Sequence, residues 1–272
     1  MRKVRKECGN NFFELSVQTL EYFVVKKNLK RSTISNLRNP MTLFQFLRII
    51  HITSGAIAFV VAPIALIAHK GGTNHRRWGK VFFWSMTSVA VSAVIMAPMH
   101  DNIFLTLVAV FSFYLAFSGY RALYRKDFYK THKTAFIDWF FVVVNSLFSL
   151  TLLLYGVTRL PNSFGIISIV FGFIGCAIGF RDIVSFVRPP KDKTQWFFSH
   201  MVGMVASYIA ALSAFSAVNL NFDWLPTSIQ WLWPTLIGAP LLRKWVRYYK
   251  NKFNKGRKIT EEATVKIKVD SL

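Results

Sequence analysis

The amino-acid sequence predicts an all-α integral membrane helical bundle of about seven transmembrane helices. Three observations predict it: long uninterrupted apolar blocks, aromatic residues gathered at the block ends, and Lys and Arg concentrated in every second connection. Of the 272 residues 53% are hydrophobic and 16% aromatic, with 27 Phe and 8 Trp, while only 17% are charged. Soluble domains carry about 25% charged residues. The shortfall, together with apolar residues in blocks rather than in amphipathic stripes, points to lipid as the solvent of this chain.

A helix needs about 20 apolar residues to cross about 30 Å of hydrocarbon. Blocks of that kind run over 46–68, 80–98, 103–123, 136–157, 164–180, 197–217 and 227–243. The first six are strong. The seventh is interrupted by Pro234 and Pro240, which membrane helices tolerate when neighbours satisfy the freed carbonyls. Trp78, Trp84, Tyr120, Tyr124, Trp139, Trp196, Trp224, Trp245, Tyr248 and Tyr249 stand at block ends, as an interfacial aromatic belt requires. Gly172, Gly175 and Gly179 share a helical face in the fifth block. With Gly119 they read as sites of close helix packing.

Orientation follows from Lys and Arg in short connections. The first, third and fifth loops hold thirteen: Lys70, Arg76, Arg77 and Lys80, then Arg121, Arg125, Lys126, Lys130 and Lys133, then Arg181, Arg188, Lys191 and Lys193. The alternate loops, 99–102, 158–163 and 218–226, hold only Arg159. The basic loops are therefore expected in the cytoplasm. The tail from Arg243, with ten more Lys and Arg, is expected there too. The formal net charge of +22 could suggest a nucleic-acid partner, but these charges flank apolar blocks. Anionic lipid headgroups at the basic loops and tail are the expected partners, and nucleic acid is not. Three regions result: a basic extension over 1–40, the seven-helix domain over 41–245, and a basic tail over 246–272.

The extension carries nine Lys and Arg, which conflicts with an N-terminus outside. Its apolar run from Phe12 to Val25 spans only about 21 Å as a helix and is too short to cross. It reads either as an interfacial amphipathic helix or as sequence upstream of a natural start at Met41. Glu14 and Glu21 and the lack of a small-residue cleavage site exclude a secretory signal. Cys8 and Cys176 fall at different depths and imply no disulfide.

The stretch with His51, Gly55, Lys70, Gly71, His75, Arg76 and Gly79 resembles a bacterial family of multi-pass membrane proteins known as domain of unknown function 2306. In that family a His-x-x-x-Gly opens one helix and a basic-Gly…His-Arg-x-x-Gly loop leads into the next. A second similar element is the basic-Asp stretch with Arg125 and Asp127 followed by His132. The resemblance covers roughly residues 45–155. It implies a multi-pass fold in the inner membrane of a bacterium and no particular reaction.

Histidine carries the chemistry open to this chain, because imidazole ligates haem iron or zinc and titrates near neutral pH. All six histidines lie near block ends. His51 and His100 fall on the outer side; His69, His75, His132 and His200 fall on the inner side. A two-haem reading pairs His51 with His100 outside, and His69 or His75 with His200 inside, each pair holding one haem b between facing helices. A metal-dependent hydrolase reading takes His75, His132 and His200 as ligands of a divalent metal, with Asp138 or Asp182 completing the set. No His-x-x-x-His pair supports it. A transporter reading needs polar groups at mid-depth, and the blocks offer Ser54, Ser92, Asn145 and Ser146 beside Pro63 and Pro234. Asp138 and Asp182 are shallow and are expected to pair with nearby Arg or Lys. Together these place a ligand site at the cytoplasmic mouth, formed by His75, Arg76, His132, Asp138, Asp182 and His200.

Overall fold

Each apolar block becomes a helix because, in lipid, only the i to i−4 ladder satisfies every backbone N–H and C=O within the segment. The computed structural model describes residues 42–100, 102–220 and 222–270, with side chains as far as Gly256. The expected extension, its apolar run and Cys8 lie outside the described residues. The long helices are α1 (Leu43–Ile67), α2 (Thr73–Met96), α3 (Ile103–Arg121), α5 (Phe136–Thr158), α6 (Ser163–Val187), α7 (Gln195–Asn219) and α8 (Thr227–Asp270). The short α4 (Phe128–Thr131) lies in the connection between α3 and α5. Six of these helices, α1, α2, α3, α5, α6 and α7, are long and apolar enough to cross a membrane.

The seventh block forms a helix as well, but as the first half of the 44-residue α8, which runs through both prolines and on past the expected tail boundary. Its first half packs on α6 and α7, where a neighbour meets the Gln230 carbonyl that Pro234 cannot bond. At its start the Gln230 side-chain amide donates to the carbonyls of Phe222 (3.1 Å) and Leu225 (2.7 Å), while Ser216 donates to the Gln230 carbonyl (3.0 Å). Other starts are capped by side chains: Thr42 and Gln45 form a capping box on α1, Asn102 accepts the Leu105 N–H, and Asn162 accepts the Phe164 N–H. The second helix begins seven residues before the apolar block, at Thr73. Hydropathy marks only the lipid-buried turns, whereas a helix continues through charged residues in the headgroup zone. His75, Arg76 and Arg77 are therefore helical.

The chain runs up and down, so the loops at 68–72, 122–135 and 188–194 share one end of the bundle, called the basic end below. The most enclosed span is α3, which packs against α2, α5, α6 and α7. Around it the helices form two overlapping groups. In one, α1 packs on α2, α2 on α3, α3 on α7 and α7 on α1, so α2 and α7 face each other across a four-helix unit. Its core holds Ala58, Ala62, Phe82, Phe83, Met86 and Ala116, with Met204 and Tyr208 packed against them. In the other, α5 and α6 make the most extensive helix pair and join α3 and α8 through Phe104, Phe111, Leu152, Ile167, Phe171 and Trp231.

The outer surface is apolar, with Trp84, Leu147, Leu154, Phe173, Phe180 and Leu236 all exposed. The interior holds Ser92, Asn145, Ser149, Ser168, Ser207 and Ser213, all buried. Lipid contributes no hydrophobic drive to bring helices together, so small and hydrogen-bonding residues take the interfaces.

Candidate functional site

Three connections and one passing helix bring the functional side chains to the basic end. His75, in the first turn of α2, and His200, in the second turn of α7, come from helices on opposite sides of the four-helix unit. Their ring centroids lie 6.2 Å apart with the planes at 83°. His75 Nδ1 is 2.9 Å from the Ala65 carbonyl oxygen of α1, and His200 Nδ1 is 2.9 Å from the Gly119 carbonyl oxygen of α3. A carbonyl only accepts, so both Nδ1 atoms carry the hydrogen and donate it; the tautomer follows from the partner. Nε2 is then the atom of each ring left for another partner.

Close approach of α3 and α7 sets the position of His200. A Cβ on Gly119 would stand 2.7 Å from the Met204 nitrogen, and one on Gly203 would stand 2.6 Å from the Gly119 Cα. Only glycine at both places lets the two backbones meet, and the Gly119 carbonyl that orients His200 sits at that contact.

The carboxylates are held elsewhere. Asp138 is buried, accepts Arg121 Nε and Nη2 at 2.9 Å each, accepts the Ala135 N–H at 3.3 Å, and has Arg125 Nη1 at 4.0 Å. Its four contacts saturate it as the capping acid of α5. Asp182, also buried, accepts the Tyr114 hydroxyl at 2.8 Å on one oxygen and the Arg181 guanidinium at 2.9 Å on the other. The expected pairing of both acids with Arg is thus present.

His132 lies in the connection after α4, exposed, with φ of 55°. Arg76 is exposed on the first turn of α2. Among the described residues no group of three or more His, Cys, Asp or Glu is placed to hold a metal ion. The six expected residues therefore separate into a histidine pair, two salt-bridged acids, and two exposed side chains.

At the opposite end His51 and His100 take different partners. His51 Nδ1 lies 3.1 Å from the Val89 carbonyl and 3.1 Å from Ser92 Oγ, whereas the His100 ring packs edge-on against Phe44 at 4.5 Å. Phe44 precedes His51 by about 10 Å along α1, so the structure does not bring this pair together. The mid-depth polar groups bond to neighbours: Ser54 donates to Ser88 at 2.9 Å, and Asn145 Nδ2 donates to the Gly175 carbonyl at 3.1 Å. They join helices.

Sequence reading missed the anchors. Arg121 counts there as a loop charge, Tyr114 as an apolar-block residue, and the carbonyls of Ala65 and Gly119 leave no trace in residue type. Lys70, which counts in the sequence as a loop charge, donates to the Leu66 carbonyl and lies 5.3 Å from the Trp245 ring of α8. Burial lowers the pKa of this ammonium from the ordinary lysine value. A small cleft of about 30 Å³ opens beside the site between Arg125, Lys126, Lys193, Trp196 and Ser199. It has room for a water or two rather than for a larger molecule.

The fold defines the chain as a helical, multi-pass membrane protein. No family model matches it, and no curated protein and no solved structure matches it.

Proposed function

We propose that this is a multi-pass protein of a bacterial cytoplasmic membrane, with its basic end and α8 tail in the cytoplasm, that binds a ligand at that cytoplasmic mouth through His75 and His200. One observation carries the reading: two imidazoles from facing helices converge there, each oriented by a backbone carbonyl at Nδ1 and each with Nε2 left for another partner. The carboxylates are spent on Arg121, Arg125 and Arg181, which favours the imidazoles over the acids as the ligand-binding groups. The charge bias between alternate loops supports the orientation, and anionic headgroups are the partners of the basic loops and tail. His51, Gly55, Lys70, Gly71, His75, Arg76 and Gly79 support membership of the domain of unknown function 2306 family.

Arg76→Cys, made in a Cys8→Ser, Cys176→Ser background, tests the mouth. A membrane-impermeant maleimide is expected to label it in inside-out vesicles and not in right-side-out cells. Labelling only from outside overturns the orientation. Labelling from neither side overturns an accessible mouth.

A further inference from the structure

We propose that His75 and His200 are the two protein ligands of a single transition-metal centre, a deepening that rests on the ligand-binding reading of the basic mouth. Both Nδ1–H groups are donated to the Ala65 and Gly119 carbonyls, which leaves Nε2 as the atom of each ring open to a further partner. An electron-pair acceptor between them satisfies both.

The separation fits one metal ion. Metal-to-imidazole bonds of about 2.0–2.1 Å place a ring centroid roughly 3.2 Å from the metal, so two rings on opposite sides of one ion stand roughly 6.3 Å apart. Tetrahedral ligation would bring the centroids to roughly 5.2 Å at the same bond length. The observed separation is 6.2 Å, the value for ligands in line. An Nδ1–H donated to a carbonyl is also the usual support of a metal-ligating histidine, because it fixes the ring's orientation and makes Nε2 more basic.

The donor count narrows the centre. No third His, Cys, Asp or Glu joins the pair among the described residues, which disfavours a structural zinc site built from four protein ligands. Two protein imidazoles in line complete only a centre that brings its own remaining donors or needs none. Haem iron is the first kind, since the porphyrin supplies four nitrogens and axial ligands come from facing helices. A cuprous ion is the second kind, since imidazole suits copper and two opposed ligands can suffice for it. The shared chemistry is a metal that accepts two opposed neutral imidazoles.

Titration of the full-length, metal-stripped protein in detergent tests this with hemin and, separately and anaerobically, with copper(I) against a chromophoric chelator. One equivalent per chain of one of the two is expected, and which one binds identifies the centre. His75→Asn and His200→Asn keep an amide N–H near the Nδ1 position for Ala65 and Gly119 but have no Nε2 lone pair. Each is expected to weaken binding by more than the roughly 10–100-fold that loss of an outer-shell partner costs, at an unchanged melting temperature. Failure of both probes to bind at one per chain overturns the inference, and so does binding that survives both Asn substitutions. Labelling of Arg76→Cys from the outside alone would instead overturn the orientation and leave the titration result standing.

Discussion

Removing the Asp138 carboxylate leaves the Arg121 guanidinium, and Arg125 behind it, facing a low-dielectric pocket at the edge of the bundle. Breaking a buried pair from one side costs about 3–5 kcal/mol. The Arg121 side chain keeps 20% of its surface in contact with the surroundings against 1% for Asp138, so the lower end applies. Asp138→Ala is expected to lower unfolding free energy by about 3 kcal/mol in SDS titration. Asp138→Asn, which keeps an acceptor for the Ala135 N–H, is expected to cost less. Tyr114→Phe removes the hydroxyl that Asp182 accepts and is expected to cost about 1–3 kcal/mol, because the acid stays buried with one oxygen less satisfied. Equal stability of Tyr114→Phe and wild type would show that the Asp182–Tyr114 bond contributes nothing.

Between helices, steric fit decides. The α5–α6 pair meets along Gly156, Gly172, Gly175 and Gly179, and a Cβ at Gly172 would stand 2.6 Å from the Leu153 backbone nitrogen. Backbone cannot swing aside as a side chain can. Gly172→Ala is therefore expected to destabilise by about 1–3 kcal/mol, the usual cost of overpacking, and Gly172→Leu to abolish the folded state. Gly79, whose added Cβ meets nothing within 4 Å, is the control: Gly79→Ala is expected to be neutral or slightly stabilising, since alanine favours the helix. Melting temperatures in one detergent separate the two. Gly119→Ala tests the metal proposal from the same side, because it displaces α7 and with it His200, while His75 keeps its Ala65 partner.

Across the whole molecule, apolar surface faces outward and small polar groups face inward, which is stable only in lipid. A C-terminal fusion reports which side the basic end faces. Green fluorescence from a fused fluorescent protein, with an inactive alkaline phosphatase fusion at the same point, is expected for a cytoplasmic tail; an active phosphatase would reverse the topology. Charge at mid-span tests lipid contact: Phe173→Arg on exposed α6 surface is expected to cost about 3–4 kcal/mol of insertion free energy.

Sequence by itself determined the helices and the charge asymmetry, because transfer into hydrocarbon depends on residue type summed over about 20 positions and needs no partner. It also marked Gly119, Gly172, Gly175 and Gly179 as packing sites, since only small residues allow such approach. Only the tertiary structure decided which charges and imidazoles meet. Asp182 finds Tyr114 from 68 residues away, and His200 finds the Gly119 carbonyl from 81. Those contacts depend on helix order, crossing and depth, and on backbone atoms that every residue carries alike. The same physics left the seventh helix ambiguous in sequence: Pro234, Pro240 and Gln230 lower its apolar signal, and its packing on α6 and α7 is what makes it a helix of the bundle.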